Sequence, residues 1–367
     1  MPARRPQAID AMRRALALAE RGRGHVSPNP LVGAVVVRAG RVVGEGWHAR
    51  LGGPHAEVMA LARAGERARG ATMFVTLEPC AHHGRTPPCV DAIVAAGIRR
   101  CVVAVRDPHD IVNGLGLRRL RAAGVKVELG LLAAEARELL GGYWLTHTAG
   151  RPRVTLKLAA SLDGRVAPAG GFATRGVGRW LTGASARRDA HRLRAVSDAV
   201  VIGAGTARDD DPRLTSRGVS AQRQPLRVVC DTTLELPLTL RLLRAPLATG
   251  TVVACGSRAS TRRAAALAAR GITVWRLPVS AGGVSVAALA RRLAREGRHE
   301  VLVEGGARLA GAFIAAGLVD RVALFTAPVL AGVHGLGWGA GDRIVRRGRL
   351  LRHARVGGDA LTLVALG

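Results

Sequence analysis

Apolar positions recur with helical spacing through "MPARRPQAIDAMRRALALAERGRG", with arginines on the opposite face, and predict an amphipathic, charged N-terminal helix rather than a signal peptide. Two apolar runs joined by a glycine-containing turn follow in "LVGAVVVRAGRVVGEGWH" and predict a β-hairpin. The period then alternates. A helix from about His55 leads to strand "ATMFVTL", helix "CVDAIVAAG", strand "RRCVVAV", helix "LGLRRLRAAG", strand "VKVELG" and helix "AAEARELLGGYWL". This alternation predicts a three-layer α/β domain over residues 1–147. Gly and Pro interrupt the periodicity in "THTAGRPR", the best boundary. Beyond it "VTLKLAASLDG", "SDAVVIGAG", "LRVVCDT", "TVVACG", "ITVWRL" and "HEVLVEGGARLAGAFIAAGLVDRVALFTAPVL" predict a second α/β domain, largely of parallel strands, over residues 152–367.

Length and composition agree with two domains: 367 residues exceed one hydrophobic core, and 48% of them are apolar. No run reaches the roughly 18 apolar residues of a membrane span, so no membrane partner is expected and the cytoplasm is the expected compartment. Five cysteines in a long chain do not resemble a disulfide framework. Cys101, Cys230 and Cys255 sit in apolar strand-like runs and read as small buried hydrophobes. The formal charge of +29 points toward a polyanion partner. Yet Lys126 and Lys157 are the only lysines, the arginines are scattered, and aromatics make up only 3%, leaving no base-stacking platform. Nucleic acid is therefore not expected as the main partner.

Chemistry concentrates in "GGPHAEVMALARAG" and "EPCAHHGRTPPC". His55, Cys80 and Cys89 are expected to converge near helix N-termini, which favour thiolates. Three such ligands suit a catalytic zinc, because a structural zinc would be closed by a fourth protein ligand. Zinc lowers the pKa of a water in the open position from about 16 toward 7. Glu57 is placed to carry protons between that water and a leaving nitrogen. H-x-E followed by P-C and a second Cys is the signature of zinc nucleobase deaminases.

"SPNPLVGAVVV", "GEGWHARLGGPHAEVMAL", "TLEPCAHHGRTPPCVDAI", "KLAASLDGRVA" and "ARDDDPRLTSR" together resemble the bifunctional riboflavin biosynthesis family, a pyrimidine deaminase fused to a 5-amino-6-(5-phosphoribosylamino)uracil reductase. Eight residues separate the cysteines here, against two in the general signature. The resemblance implies a cytidine deaminase-like first domain that hydrolyses the 2-amino group of 2,5-diamino-6-(5-phosphoribosylamino)pyrimidin-4-one. Asn29 would read the pyrimidine edge, with His48, His82 and Arg85 toward the ring and ribose phosphate.

The same resemblance implies a dihydrofolate reductase-like second domain that uses NADPH to reduce the ribosyl group to a ribityl chain. Ala159, Trp180, Thr206, Asp210, Thr232 and the segment Gly306, Ala307, Arg308, Leu309, Ala310, Gly311 and Ala312 match cofactor positions. Arg194, Leu214, Arg217 and Glu304 match substrate positions, and self-association is expected. One departure stands out: "PAGGFATRGVGRWLT" has Gly178 where the family has a serine, with Thr174 as a substitute. Two alternatives therefore stay open, a nucleic-acid deaminase and a deaminase whose reductase half is weakened or non-catalytic.

Overall fold

The computed structural model describes residues 5–82, 87–167, 180–337 and 346–366. The chain divides into two compact units, Met1–Gly150 and Arg151–Gly367.

In the first unit the elements run α1 (Arg5–Glu20), β1 (Gly33–Arg38), β2 (Arg41–Trp47), α2 (Ala56–Ala64), β3 (Thr72–Leu77), α3 (Cys89–Ala95), β4 (Arg100–Val105), α4 (Leu115–Ala122), β5 (Lys126–Leu129), α5 (Ala133–Leu140) and α6 (Gly142–Ala149). The sheet order is β2-β1-β3-β4-β5. β1 is antiparallel to both neighbours, and β3, β4 and β5 are parallel. Alternate strand residues serve opposite layers. Val35, Phe74, Val102 and Ala104 pack with Met12 of α1 and Leu140 of α5. Ala34, Val36, Met73, Val75 and Val103 pack with Ala60 of α2, Ile93 of α3 and Leu120 of α4.

The approach of α2 to β2 depends on two strand glycines. A Cβ on Gly44 would lie 2.2 Å from the Ala60 carbonyl oxygen, and one on Gly46 would lie 2.2 Å from that of Ala56. Only hydrogen side chains allow the helix backbone to rest on the strand there. That contact sets the position of the first turn of α2, where His55 and Glu57 stand.

The second unit contains β6 (Arg153–Ser161), β7 (Arg165–Ala167), α7 (Ala184–Ala195), β8 (Ala199–Gly203), α8 (Ala204–Asp210), β9 (Leu226–Cys230), β10 (Thr251–Gly256), α9 (Thr261–Ala268), β11 (Thr273–Leu277), β12 (Val279–Ser280), β13 (Gly283–Val284), α10 (Val286–Arg295), β14 (Glu300–Val303), α11 (Ala307–Ala315), β15 (Arg321–Ala327), β16 (Leu336–Gly337), β17 (Gly348–Val356) and β18 (Asp359–Leu366). Its main sheet has nine strands in the order β11-β10-β9-β8-β14-β6-β15-β18-β17. Neighbours from β11 to β15 are parallel. β18 and β17 add an antiparallel edge. Both faces carry a core: Val201, Val303, Leu289 of α10 and Phe313 of α11 lie in one, and Val200, Ile202, Ala207 of α8 and Leu267 of α9 in the other.

Three local expectations change. "AAEARELLGGYWL" is not one helix: Gly141, at φ 47°, separates α5 from α6, and α6 continues through "THTA" to Ala149. The "GAGTARDDD" stretch, read in the sequence only as the end of an apolar strand, forms the short helix α8, stopped where Asp211 takes φ 38°. The purely strand-and-helix reading also passed over the β17–β18 hairpin, whose arginine-studded β17 lacks a clean alternation.

Gly46→Val forces α2 away from β2 and is expected to destabilise the first unit by roughly 2–4 kcal/mol. Calorimetry should show its transition several degrees lower, with the second unit's transition unmoved.

Candidate active sites

The first site forms where α2 and α3 begin. His55 is the N-cap of α2, Cys89 opens α3, and Cys80 lies in the segment leaving β3. Their donor atoms all fall within 4.8 Å of one another. His55 Nδ1 stands 3.1 Å from Cys89 Sγ and 3.6 Å from Cys80 Sγ, and the Cys89 amide donates to Cys80 Sγ at 3.4 Å. Hydrogen bonding from Cys89 holds the Cys80 thiol down at about 4, and the same bond pushes Cys89 above the usual thiol range. A divalent cation satisfies both sulfurs, and this donor set of one imidazole and two thiolates fits zinc with a position left open. Glu57 is buried beside it, with its carboxyl raised by that burial to about 7.

A second carboxylate, Glu78, fixes the segment that carries Cys80. It is buried and accepts from the backbone amides of Asp107, Gly114, Gly116 and Leu117 at 2.9–3.2 Å. Glu78 therefore caps the start of α4 and ties it to β3. Arg119 of α4 also donates to the Ala81 carbonyl at 2.7 Å. Sequence reading passed over Glu78 because its partners are remote amides; the only local signal was its place directly before Pro79 and Cys80.

Of the expected substrate residues here, Asn29 and His48 come together: Asn29 Nδ2 is 3.1 Å from His48 Nε2. His48 is buried, its ring meets that of His55 edge-on at 5.4 Å between centroids, and burial lowers its pKa. Its Nδ1 lies 3.0 Å from the Pro54 carbonyl, so both ring nitrogens are engaged within the chain. His82 is exposed, and Arg85 lies outside the described residues.

The second site lies at the C-terminal ends of β6, β8 and β14. Arg194 of α7 and Glu304, which follows β14, form a bidentate pair of 2.6 and 2.7 Å. Burial alone would raise the Glu304 pKa, but the Arg194 charge outweighs it and the carboxylate sits below its ordinary range. The third Arg194 nitrogen donates to Thr215 O. Arg194 is thus occupied in holding Glu304 and the 215 loop. Arg217 is exposed and donates to Thr215 Oγ1 at 2.6 Å. Leu214 is buried at φ 50°, a left-handed conformation that costs a leucine free energy and shapes the turn before Thr215.

Toward the cofactor positions, α11 starts immediately after Gly305 and Gly306; Leu309 N and Ala310 N donate to Gly306 O at 3.1 and 3.2 Å, which leaves the Ala307 and Arg308 amides without a partner within the helix. Gly306 N donates to Thr206 Oγ1 at 3.1 Å, joining the starts of α8 and α11. Such a helix N-terminus at the carboxyl end of a parallel strand suits a dinucleotide phosphate, and the residues present fit one. Ala307, Arg308, Leu309, Ala310, Gly311 and Ala312 all lie in α11. Ala159 lies in β6, Asp210 ends α8, and Trp180 is exposed against Arg187. Thr232 uses its hydroxyl to accept from Val284 N at 3.1 Å. The altered segment with Thr174 and Gly178 lies outside the described residues.

The model of the RibD C-terminal domain matches residues 152–361, and that of the cytidine and deoxycytidylate deaminase zinc-binding region matches residues 6–105. RibD of Aquifex aeolicus is 42% identical over 321 residues, covering 88% of this chain and 87% of that one. RibD of Escherichia coli is 42% identical over 333 residues, covering 88% of each.

The chain belongs to the RibD family.

Solved structures agree with that membership. Acinetobacter baumannii RibD superposes with a TM-score of 0.86 at 36% identity, covering 99% of both chains. A diaminohydroxyphosphoribosylaminopyrimidine deaminase/5-amino-6-(5-phosphoribosylamino)uracil reductase from Thermotoga maritima gives 0.82 at 33%, again covering 99% of both. RibD proteins are two-domain enzymes, a zinc deaminase followed by a reductase of dihydrofolate reductase-like fold that uses NADPH, and they serve riboflavin biosynthesis.

Within the RibD reductase unit two further residues enter the site. Leu156 of β6 is paired with Val303 of β14, so Lys157, in the middle of β6, stands level with Glu304, which leaves β14. Desolvation lowers the Lys157 pKa, while Glu304 and Asp210 raise it. His191 of α7 lies beside Arg194, Arg217 and Glu304, and its Nδ1 is 3.0 Å from Thr215 O. Lys157 had one signal in the sequence: it is one of two lysines in an arginine-rich chain, on an apolar strand.

One zinc per chain is expected by elemental mass spectrometry, and Cys89→Ala should lose the metal and ammonia release together. Retention of both by Cys89→Ala would contradict the ligand set. Lys157→Met should slow the NADPH-dependent step by at least about tenfold, roughly the value of one charged hydrogen bond, with zinc unchanged.

Proposed function

We propose that the chain hydrolyses the amino group of 2,5-diamino-6-(5-phosphoribosylamino)pyrimidin-4-one in its first unit and reduces the ribosyl group of the product in its second. The observation that carries this reading is the triangle of His55, Cys80 and Cys89 with the buried Glu57 at its side. When bound, zinc supplies Lewis-acid activation of water. Glu57 takes a proton from the attacking water at its carboxylate and gives it to the leaving nitrogen, which departs as ammonia. A carboxyl held near 7 by burial can do both at neutral pH. Asn29 reads the pyrimidine edge, and the resemblance assigns His82 and Arg85 to the phosphoribosyl group.

In the second unit NADPH supplies the hydride when bound. The α11 N-terminus with residues 306–312, Ala159, Trp180, Thr206, Asp210 and Thr232 holds the cofactor. Glu304, fixed by Arg194, accepts from substrate hydroxyls, with Lys157 beside it. Arg217 and Leu214 line the substrate end, where Arg217 offers its guanidinium to the phosphate. Residues 1–147 and 152–367 are the corresponding working domains. Cytoplasmic residence is supported by five free cysteines. Self-association rests on the family resemblance and is read by light scattering.

Glu57→Gln should keep zinc, since the residue is not a ligand, yet release ammonia about 10²–10⁴-fold more slowly; loss of zinc would reassign it. Glu304→Ala and Arg217→Ala should weaken the NADPH-dependent step about 10–100-fold, chiefly through KM for Arg217, with ammonia release unchanged. Wild-type reduction by both variants would place the substrate pocket elsewhere.

A further inference from the structure

Between Ser216 and Gln224 in the second unit the chain makes a short excursion and returns to its starting point. Gln224 Oε1 accepts from Ser216 N at 2.7 Å and Gln224 Nε2 donates to Ser216 O at 3.1 Å, so one side-chain amide pairs with both main-chain groups of a single residue, as a neighbouring strand would. Residues 217–223 therefore form a loop closed at its neck. Ser216 is buried and its hydroxyl has no partner among the described residues, so these two bonds are its hold on the fold. Gln224 stands on a fixed base: Arg223 pairs with the buried Asp198, and Leu226 N, at the start of β9, donates to Asp198 O at 2.9 Å. On the other side of the neck, Thr215 O accepts from Arg194 and lies 3.0 Å from His191 Nδ1, both residues of α7, and Leu214 keeps φ 50°. A leucine stays in that conformation only where its surroundings over-determine it.

We infer that Gln224 is a positioning residue for the reduction: by closing the neck it fixes the main chain of Ser216 and aims the guanidinium of Arg217, the next residue, at the substrate phosphate. This rests on the reading of Arg217 as the phosphate contact. Arg217 is exposed, and its Nη1 donates to Thr215 Oγ1 at 2.6 Å across the neck. Partial burial, and then the charges of Arg194 and Arg213, lower its pKa, so an unclamped loop would carry the guanidinium away from them toward water. The clamped loop meets the phosphate with Arg217 already in place, which spares binding the entropy of ordering it. Because Gln224 grips main chain, the clamp does not depend on which side chains the loop carries between Arg217 and Arg223.

The test is a double-mutant cycle on steady-state reduction of 5-amino-6-(5-phosphoribosylamino)uracil by the full zinc-loaded chain. Gln224→Ala should raise KM for the nucleotide about three- to tenfold. Since Gln224 is exposed, kcat, KM for NADPH and the thermal midpoint should stay at their wild-type values. Gln224→Met, of similar length but without hydrogen-bonding groups, should match Gln224→Ala. Gln224→Glu keeps the acceptor for Ser216 N and should fall between them and the wild type. In an Arg217→Ala background, Gln224→Ala should add less than about twofold, because its effect runs through the missing guanidinium. A wild-type KM in Gln224→Met, a matching rise in KM for NADPH, or an equal loss from Gln224→Ala in both backgrounds would overturn the positioning role while leaving the Arg217 contact standing. An Arg217→Ala protein with wild-type KM for the nucleotide would remove the phosphate contact itself, and the inference with it.

Discussion

Two sulfurs and an imidazole nitrogen confined within 4.8 Å, with a buried carboxyl at their side, form a donor set suited to a divalent cation. Hydrogen bonding between the two thiols lowers the pKa of Cys80 and raises that of Cys89, so the two sulfurs act as one coupled group. The surrounding structure exists to hold that cluster together. Gly44 and Gly46 let α2 lie on β2 and deliver His55 and Glu57, while Glu78 caps α4 and steadies the segment bearing Cys80. Metal affinity and fold stability are coupled through these contacts, because each ligand arrives on an element that packs only in the native state.

The reductase cleft solves a related problem with side chains alone. Arg194 lies bidentate against Glu304, and Lys157 stands on the neighbouring strand. This arrangement keeps a buried carboxylate charged and oriented, where an unpaired one would take up a proton. Its location follows from sheet order. β8, β14 and β6 are adjacent although distant in sequence, so Glu304 and the α11 start, which follow β14, lie beside Lys157 of β6.

That dependence explains what could be read from the sequence. His55, Glu57, Cys80 and Cys89 declared themselves because zinc chemistry imposes short, residue-specific spacing. The two α/β units and most strands were legible from apolar period alone. Arg194 and Glu304 were recognised as site residues by resemblance, but not as partners, because 110 positions separate them and only the strand order joins them. Glu78 and Lys157 lay inside motif stretches and His191 outside those quoted, none with a role assigned to it, and their roles arise from neighbours that no local window contains. The split of α5 from α6 turned on one glycine whose positive φ the helical pattern concealed. His48 was expected toward the ligand, and its ring nitrogens lie 3.0 Å from the Pro54 carbonyl and 3.1 Å from Asn29 Nδ2, contacts that no local window shows.

The central claim is that one chain performs a metal-centred deamination and a nicotinamide-dependent reduction in sequence. Mass spectrometry of the products formed from the diamino pyrimidine nucleotide by the purified zinc-loaded protein tests it most directly. Without NADPH the product should carry an oxygen in place of the 2-amino N–H and retain its ribosyl ring; with NADPH it should gain two further hydrogens. Substrate recovered unchanged, or an identical product with and without NADPH, would contradict the account.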